Sequence, residues 1–257
     1  MALVTFMSDF GLADHYVAAV KARLLRVNPG LQIIDLSHQI EPFSIIHASH
    51  VLGQVFRDFP PGTVHLIAVG SHNERNCRPV AVKLEEHFFV GPDNGIISLI
   101  SEKLATAVVD LSEHTPAGVG SFPSRDIFAE VAAKLASGAV IQDFGKRKED
   151  IYRFTNRQVR ATHEQISGVV MHVDHFGNLL TNIDKTTFED LHQGRNYQVQ
   201  VGRERFAQIQ DHYHQVENGE CFLLFNSNGF LEIGINKGHA SQLLGIGFDN
   251  PIHIRFE

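Results

Sequence analysis

Three short segments of this 257-residue chain carry side chains able to hold a small polar ligand. In Met7-Ser8-Asp9-Phe10-Gly11, Asp9 follows an apolar run. A carboxylate just past a buried strand projects into the crevice of an α/β sheet, where it can accept both hydroxyl protons of a ribose diol. Aspartate before glycine is also ordinary turn or cap punctuation, and these residues alone leave both readings open. A kinase reading of Asp-Phe-Gly fails, because the loops that precede that motif have no room upstream. The second segment, Asp174-His175-Phe176-Gly177-Asn178 followed by Thr181-Asn182, packs hydrogen-bonding groups into one strand-to-loop junction. An Asx-rich hairpin turn weighs equally there. The third, Asn226 to Asn236, offers exposed amides and the Ser227 hydroxyl to a carboxylate, but Asn228-Gly229 is first of all a hairpin-turn signal. His172 with Asp174, and His212 with His214, are spaced as metal pairs. Neither has a third ligand at useful spacing, and chance pairs are expected among sixteen histidines, so structural readings stand above the metal ones.

The elements that must position these residues follow from apolar periodicity. Ala2 to Met7 reads as a buried strand, and Asp14 is placed to cap a helix carrying Val17, Val20, Leu24 and Val27, ended by Asn28-Pro29-Gly30. Leu31 to Leu36 is a second strand. Ser44 caps a helix with Ile45, Ala48, Val51, Leu52 and Val55, stopped by Pro60-Pro61-Gly62, and Val64 to Val69 is a third strand. This β-α-β-α-β order predicts an α/β fold with a mostly parallel sheet flanked by helices, since parallel neighbours need crossovers. Further strands are expected at Val80 to Leu84, Phe88 to Val90 and Ala107 to Val109, then a helix from Asp126 to Ser137 with Ser124 as its cap. From Gln142 to His163 the pattern dissolves into a charged connection, so the chain divides into an α/β domain, 1–163, and a smaller all-β, barrel-like domain, 164–257. The second domain's strands are Val169 to Val173, Tyr197 to Val201, Cys221 to Phe225, Phe230 to Ile235 and Ile252 to Phe256.

Composition narrows the partner. A net charge of -7 supplies no broad basic surface, which disfavours nucleic acid and favours a small-molecule ligand. Two distant cysteines, Cys77 and Cys221, suggest a reducing, cytoplasmic setting, and the apolar N-terminus is too short for a membrane span and lacks the marks of a signal peptide.

Taken together and in order, Ser8 to Gly11 with Asp14 and Tyr16, Ile34 to His38 running to Pro42-Phe43, Gly91 to Gly95, Ser124-Arg125-Asp126, Asp174 to Asn178, and Asn226 to Asn236 cover nearly the whole chain. This set resembles the S-adenosyl-L-methionine (SAM) hydroxide adenosyltransferases, which hydrolyse SAM to adenosine and methionine, in a family that includes fluorinating and chlorinating enzymes. The resemblance implies a homotrimer with the ligand between one subunit's N-terminal domain and its neighbour's C-terminal barrel. It implies SAM as substrate, with neither cofactor nor metal. By matching position, Asp9 would hold the ribose diol, Phe43 wall the pocket, Asp174 with Ser227 bind the methionine end, Asn178 reach adenine and Tyr213 lie against the base. The backbone from Ile235 to Lys237 would run along the adenine edge. Asp14, Asn228, Glu232 and Lys237 fall in the same ligand-side set.

The chain departs from the pattern where those hydrolases resemble one another in orienting water with Asp, Arg and His. Those positions here are Gly70, Cys77 and Pro123. His72, Glu74, Arg75 and Arg78 of the polar stretch from Ser71 on are the alternatives for that role, and His72 and Arg78, with Ser124, a halide-site feature of the relatives, are the candidate catalytic residues. A sulfonium leaving group departs without protonation, so turnover needs chiefly nucleophile placement and desolvation. Three readings follow: a SAM hydrolase, a non-catalytic SAM or adenosine binder, and a halogenase. The last is set back by the direct run from Leu84 through Glu85-Glu86 to Phe88, which lacks the halogenases' longer insertion, and by Gly70 in place of their pocket tyrosine.

Overall fold

The computed structural model describes residues 2–71, 78–114, 121–155 and 158–257. They fall into two compact units, Met1–Thr155 and Asn156–Glu257.

In the first unit the run is β1 (Leu3–Ser8), α1 (Tyr16–Val27), β2 (Gln32–Ser37), α2 (Ile45–Val55), β3 (Val64–Ala68), β4 (Pro79–Leu84), β5 (His87–Pro92), α3 (Ile96–Ile100), β6 (Ala107–Asp110), α4 (Ala129–Ala136) and β7 (Lys146–Arg147). One sheet has the order β2-β1-β3-β5-β4-β6-β7. Strand residues alternate between its faces, so each face builds its own core. Val4, Phe6 and Leu66 pack with α1 and α4, whereas Met7, Ile67 and Phe89 pack with α2 and α3. Among the described residues three pairings are parallel, β1 with β2, β1 with β3 and β3 with β5, and three are antiparallel, β4 with β5, β4 with β6 and β6 with β7. The sheet is therefore mixed rather than mostly parallel. The reversal begins where Glu85-Glu86 joins β4 to β5, a link too short for any crossover.

Two expected helix caps are corrected. Helix α1 has His15 at its N-cap, without a side-chain cap bond, and His15 is already in right-handed helical conformation. Asp14 thus sits one residue too early to reach the first free amides. Before α4 the chain winds through a π-helical turn, Ser124–Phe128, behind Pro123, so Ser124 lies within the helical run instead of capping it. Ser44 does cap α2, accepting from His47 N at 3.3 Å.

The core of this unit holds a histidine pair. Thr5 Oγ1 lies 2.7 Å from His65 Nδ1, and His65 Nε2 lies 3.2 Å from His87 Nδ1, with Phe56 and Phe89 around them. Burial, and then His87, push the fully buried His65 down to about 3. Below its unfolded value near 6.5 the unfolded chain takes up this proton while folded His65 stays neutral, so stability falls as pH drops from 6.5 towards 3. The slope is about 1.4 kcal/mol per pH unit. Urea melts at pH 7.5 and pH 4 should show His65→Phe losing about 3 kcal/mol less than the unsubstituted protein over that interval. Parallel losses would mean that the pair does not stay neutral.

The second unit contains β8 (Arg160–Ala161), β9 (Gln165–Val173), β10 (Leu179–Asp184), α5 (Lys185–His192), β11 (Tyr197–Val201), β12 (Glu204–Phe206), β13 (Cys221–Phe225), β14 (Phe230–Ile235), α6 (Ala240–Leu244) and β15 (Pro251–Phe256). Its sheet, ordered β12-β11-β15-β9-β10-β14-β13 with β8 on β9, is antiparallel and curls into a half-barrel. The core is Ile166, Val170, Leu179, Ile183, Val199, Leu231, Ile233, Ile254 and their neighbours, with Phe188 of α5 and Ala240 of α6 packed in. No helix among the described residues is long and apolar enough to cross a membrane.

Candidate functional site

The candidates of the first unit gather where its topology reverses. The order β2-β1-β3 means that the chain leaves β1 to one side and returns on the other, and the crevice beyond the carboxyl ends of β1 and β3 is where such sheets take ligands. Asp9 follows β1 directly and Gly70 follows β3 closely. The Asp9 carboxylate is clamped by one oxygen: Oδ2 accepts from Phe43 N at 3.0 Å and from Gly70 N at 3.1 Å. Among the described residues no donor is bonded to Oδ1. The clamp requires left-handed backbone at both donors, φ 66° at Phe43 and 63° at Gly70. For a phenylalanine that conformation costs about 1–2 kcal/mol, a strain typical of ligand sites. Phe43 is 59 % exposed.

Behind this crevice stands a buried relay. Ser8 Oγ and His38 Nδ1 are 2.7 Å apart, and the His38 carbonyl accepts from Gly11 N at 2.8 Å, which fixes the loop after Asp9. His38 Nε2 is 3.1 Å from Asp35 Oδ1. Burial raises the Asp35 carboxyl, yet Lys21 at 2.5 Å and His38 outweigh it and leave the group below its ordinary value. Phe10, Tyr16 and Phe122 form a ring cluster with centroids 5.6–5.7 Å apart. In Gly91 to Gly95, Gly91 lets β5 approach β3, since a Cβ there would stand 2.7 Å from the Ile67 carbonyl oxygen. Asn94 Nδ2 donates to Val69 O at 2.9 Å and so props the chain entering Gly70.

Of the candidate catalytic residues, Ser124 is fully buried with its hydroxyl 3.4 Å from Ser71 Oγ. Arg78 is exposed and pairs with Asp110 at 3.3 Å. His72, Glu74, Arg75 and Cys77 lie outside the described residues. Asp14 is exposed.

In the second unit the junction after β9 is an Asx turn. Asp174 Oδ1 accepts from Phe176 N at 2.9 Å and Asn178 N at 2.8 Å, while Oδ2 accepts from Asn178 Nδ2 at 3.0 Å. Asn178 Oδ1 reaches over β14, where a Cβ on Gly234 would come within 2.5 Å of it and would strike the Phe222 ring. Glu232 lies on the same strand between Leu180 and Leu224, two residues from Gly234 and hence on its face of the sheet. Tyr213 donates its hydroxyl to Glu232 Oε1 at 3.2 Å and sets its ring edge-on to Phe222, centroids 4.9 Å apart. Burial raises the Glu232 carboxyl above its ordinary range; hydrogen bonds from Asn226 and Tyr213 oppose this and the nearby Asp174 adds to it. Burial, and then Glu232 and Asp174, raise the Tyr213 phenol likewise. Asp174, Asn178, Tyr213 and Glu232 are thus brought together on one face.

The β13–β14 hairpin turns at Asn226, whose Oδ1 accepts from Asn228 N at 3.0 Å and Phe230 N at 3.2 Å, with Gly229 at φ 79°. Ser227 and Asn228 are exposed at its tip. After β14, Lys237 is exposed at φ 57°, and both backbone groups of Asn236 are bonded, to Glu220 O at 2.9 Å and Gly219 N at 2.7 Å. Among the described residues no group of three or more His, Cys, Asp or Glu is placed to hold a metal ion. An open cleft of about 560 Å³ in this unit, with Arg203, Glu204 and His253 in its wall, contains none of the candidates.

Comparison with known proteins covers both units. Residues 4–145 match the family described as SAM hydroxide adenosyltransferase N-terminal domain, and residues 168–253 its C-terminal domain. The chain is 31% identical over 250 residues to an (R)-S-adenosyl-L-methionine hydrolase of Salinispora tropica, covering 95% of this chain and 94% of that protein. It is 29% identical to an (R)-S-adenosyl-L-methionine hydrolase of Methanocaldococcus jannaschii, covering 98% and 95%. A crystal structure of an uncharacterized conserved protein from Thermotoga maritima superposes with a TM-score of 0.89 at 35% identity, covering 98% and 99% of the two chains.

Proposed function

This chain belongs to the SAM hydroxide adenosyltransferase family, and on that premise we propose that it binds S-adenosyl-L-methionine and hydrolyses it to adenosine and L-methionine. Water or hydroxide attacks C5′ in line with the sulfur; the C5′–S bond breaks, its electron pair stays on sulfur, and neutral methionine thioether leaves without needing a proton. The proton lost by water passes to solvent. Such a step asks the protein for orientation and exclusion of bulk water rather than for an acid.

The observation that carries this reading is the one-sided clamp on Asp9. With Oδ2 held by two main-chain amides, Oδ1 is left to a ribose diol, and the sugar is fixed through its hydroxyls while C5′ extends beyond them. In this reading Phe43 walls the pocket and Asp174 with Ser227 receives the methionine end, where a sulfonium and an ammonium both favour a carboxylate. Asn178 addresses adenine, Tyr213 lies against the base, and Asn228 and Lys237 edge the site. Ser124, Arg78 and His72 are the polar groups assigned to the nucleophile's side. A homotrimer working in the cytoplasm supplies the two halves of each site from adjacent subunits.

Incubation of purified protein with SAM in heavy-oxygen water tests the reaction. The expected result is one heavy oxygen at the adenosine 5′ position, with methionine unlabelled. Adenosine bearing only ordinary oxygen, or no product above a buffer control, refutes hydrolysis; tight SAM binding without product would leave a binding protein.

A further inference from the structure

Tyr213 is 50 % exposed, yet its polar end is the end turned inward. A tyrosine at a surface usually packs its ring and offers its hydroxyl to water. Here the hydroxyl donates to Glu232, a carboxylate only 5 % exposed, and the ring stands at 89° to Phe222 while half of the residue stays exposed. Glu232 has no other evident task on its strand: its neighbours Leu231 and Ile233 belong to the core, and an apolar side chain at 232 would bury more cheaply than an acid.

We propose that Glu232 is a positioning residue that fixes the Tyr213 ring as a platform for a purine base. The inference rests on the adenosyl reading of the site and deepens it: base affinity depends on a buried carboxylate that does not itself touch the ligand. An exposed ring tethered at its hydroxyl loses its rotamer freedom before the base arrives, so stacking costs less order.

A double-mutant cycle on the full chain tests this, with adenosine and L-methionine affinities measured by calorimetry. Tyr213→Phe and Glu232→Leu are each expected to weaken adenosine binding about five- to tenfold. The double variant should be no weaker than Glu232→Leu alone, and Glu232→Gln, whose carbonyl still accepts, should recover most of the loss. L-methionine affinity should not move, which a general loosening of the unit would not permit. Multiplying losses in the double variant, or unchanged adenosine affinity in Tyr213→Phe, overturns the proposal; the latter decides the matter even if Glu232→Leu fails to fold. If the unsubstituted protein binds neither adenosine nor SAM, the adenosyl reading falls, and the platform falls with it; additive losses in a protein that does bind them sink the platform alone.

Discussion

Replacing Asp9 by alanine is expected to weaken SAM binding by two to four powers of ten. The carboxylate carries two duties. On the proposed reading its free oxygen and the rest of its lone-pair capacity take the diol, and charge-assisted hydrogen bonds of that kind contribute about 1.5–3 kcal/mol each. Its other oxygen collects the Phe43 and Gly70 amides at 3.0 and 3.1 Å, so alanine also leaves two main-chain donors to find water and releases the loops on either side of the crevice. Asp9→Asn separates the duties. Its single carbonyl oxygen can keep the two amides, while its NH2 group cannot accept from a hydroxyl, so the loops hold and the charge-assisted bonds from the diol are lost. Calorimetry with SAM and with adenosine should show both nucleosides losing affinity in Asp9→Asn by similar factors, since both carry the same ribose. Unchanged affinity in both Asp9 variants would remove the ribose assignment altogether.

The second large effect is expected at Asp174, and it should divide the ligands that Asp9 treats alike. Asp174→Ala removes the acceptor of three hydrogen bonds, from Phe176 N, Asn178 N and Asn178 Nδ2, and the turn that aims Asn178 at the β14 face goes with them. SAM affinity should fall about 100-fold or more, by the sum of the lost charge and the lost turn. Asp174→Asn keeps an oxygen for the two backbone amides and gives up the charge together with the bond from Asn178 Nδ2, which an NH2 group cannot accept. SAM, with its sulfonium and ammonium, should then bind about tenfold more weakly, whereas uncharged adenosine should stay within about threefold. Equal losses for both ligands in Asp174→Asn would show that no cation is read at this position.

Much of the fold is legible in the chain because its elements announce themselves locally. Tyr197–Val201, Cys221–Phe225 and Phe230–Ile235 lie where short apolar runs between turn residues put them, and Ser44 caps α2 as its hydroxyl next to an apolar stripe suggests. The antiparallel half of the first sheet is harder to see. The β4–β5 link, Glu85-Glu86, contains no glycine, asparagine or proline, and Glu85 itself takes the left-handed turn position at φ 55°. Only the shortness of the link betrays the reversal. Strand β10 escaped for another reason: Thr181 is turned inward to donate to Leu231 O at 2.9 Å, so a polar residue occupies a buried strand position. Helix α5 was signalled by Asp184, which accepts from Thr187 N at 2.8 Å, a cap that composition alone makes easy to pass over.

The site divides along the same line. Asp9, Asp174 and Asn178 are recognisable as side chains at strand ends. Their environment is not, because the groups that clamp Asp9 are amides 34 and 61 residues away along the chain, and every residue but proline owns an amide. The inward-facing Tyr213 hydroxyl is equally invisible, since it depends on Glu232 19 residues on, at a strand position where an acid reads as solvent-facing.

That Asp9 is gripped by main chain rather than by side chains has a consequence for descent. Whatever residue other than proline a lineage carries at positions 43 and 70, the N–H remains, provided the local backbone can still turn left-handed. On the proposed ribose reading of Asp9, the side chains around the crevice can therefore change without loosening the grip on this carboxylate. On that reading, recognition of the sugar and the chemistry at C5′ rest on separate parts of the chain.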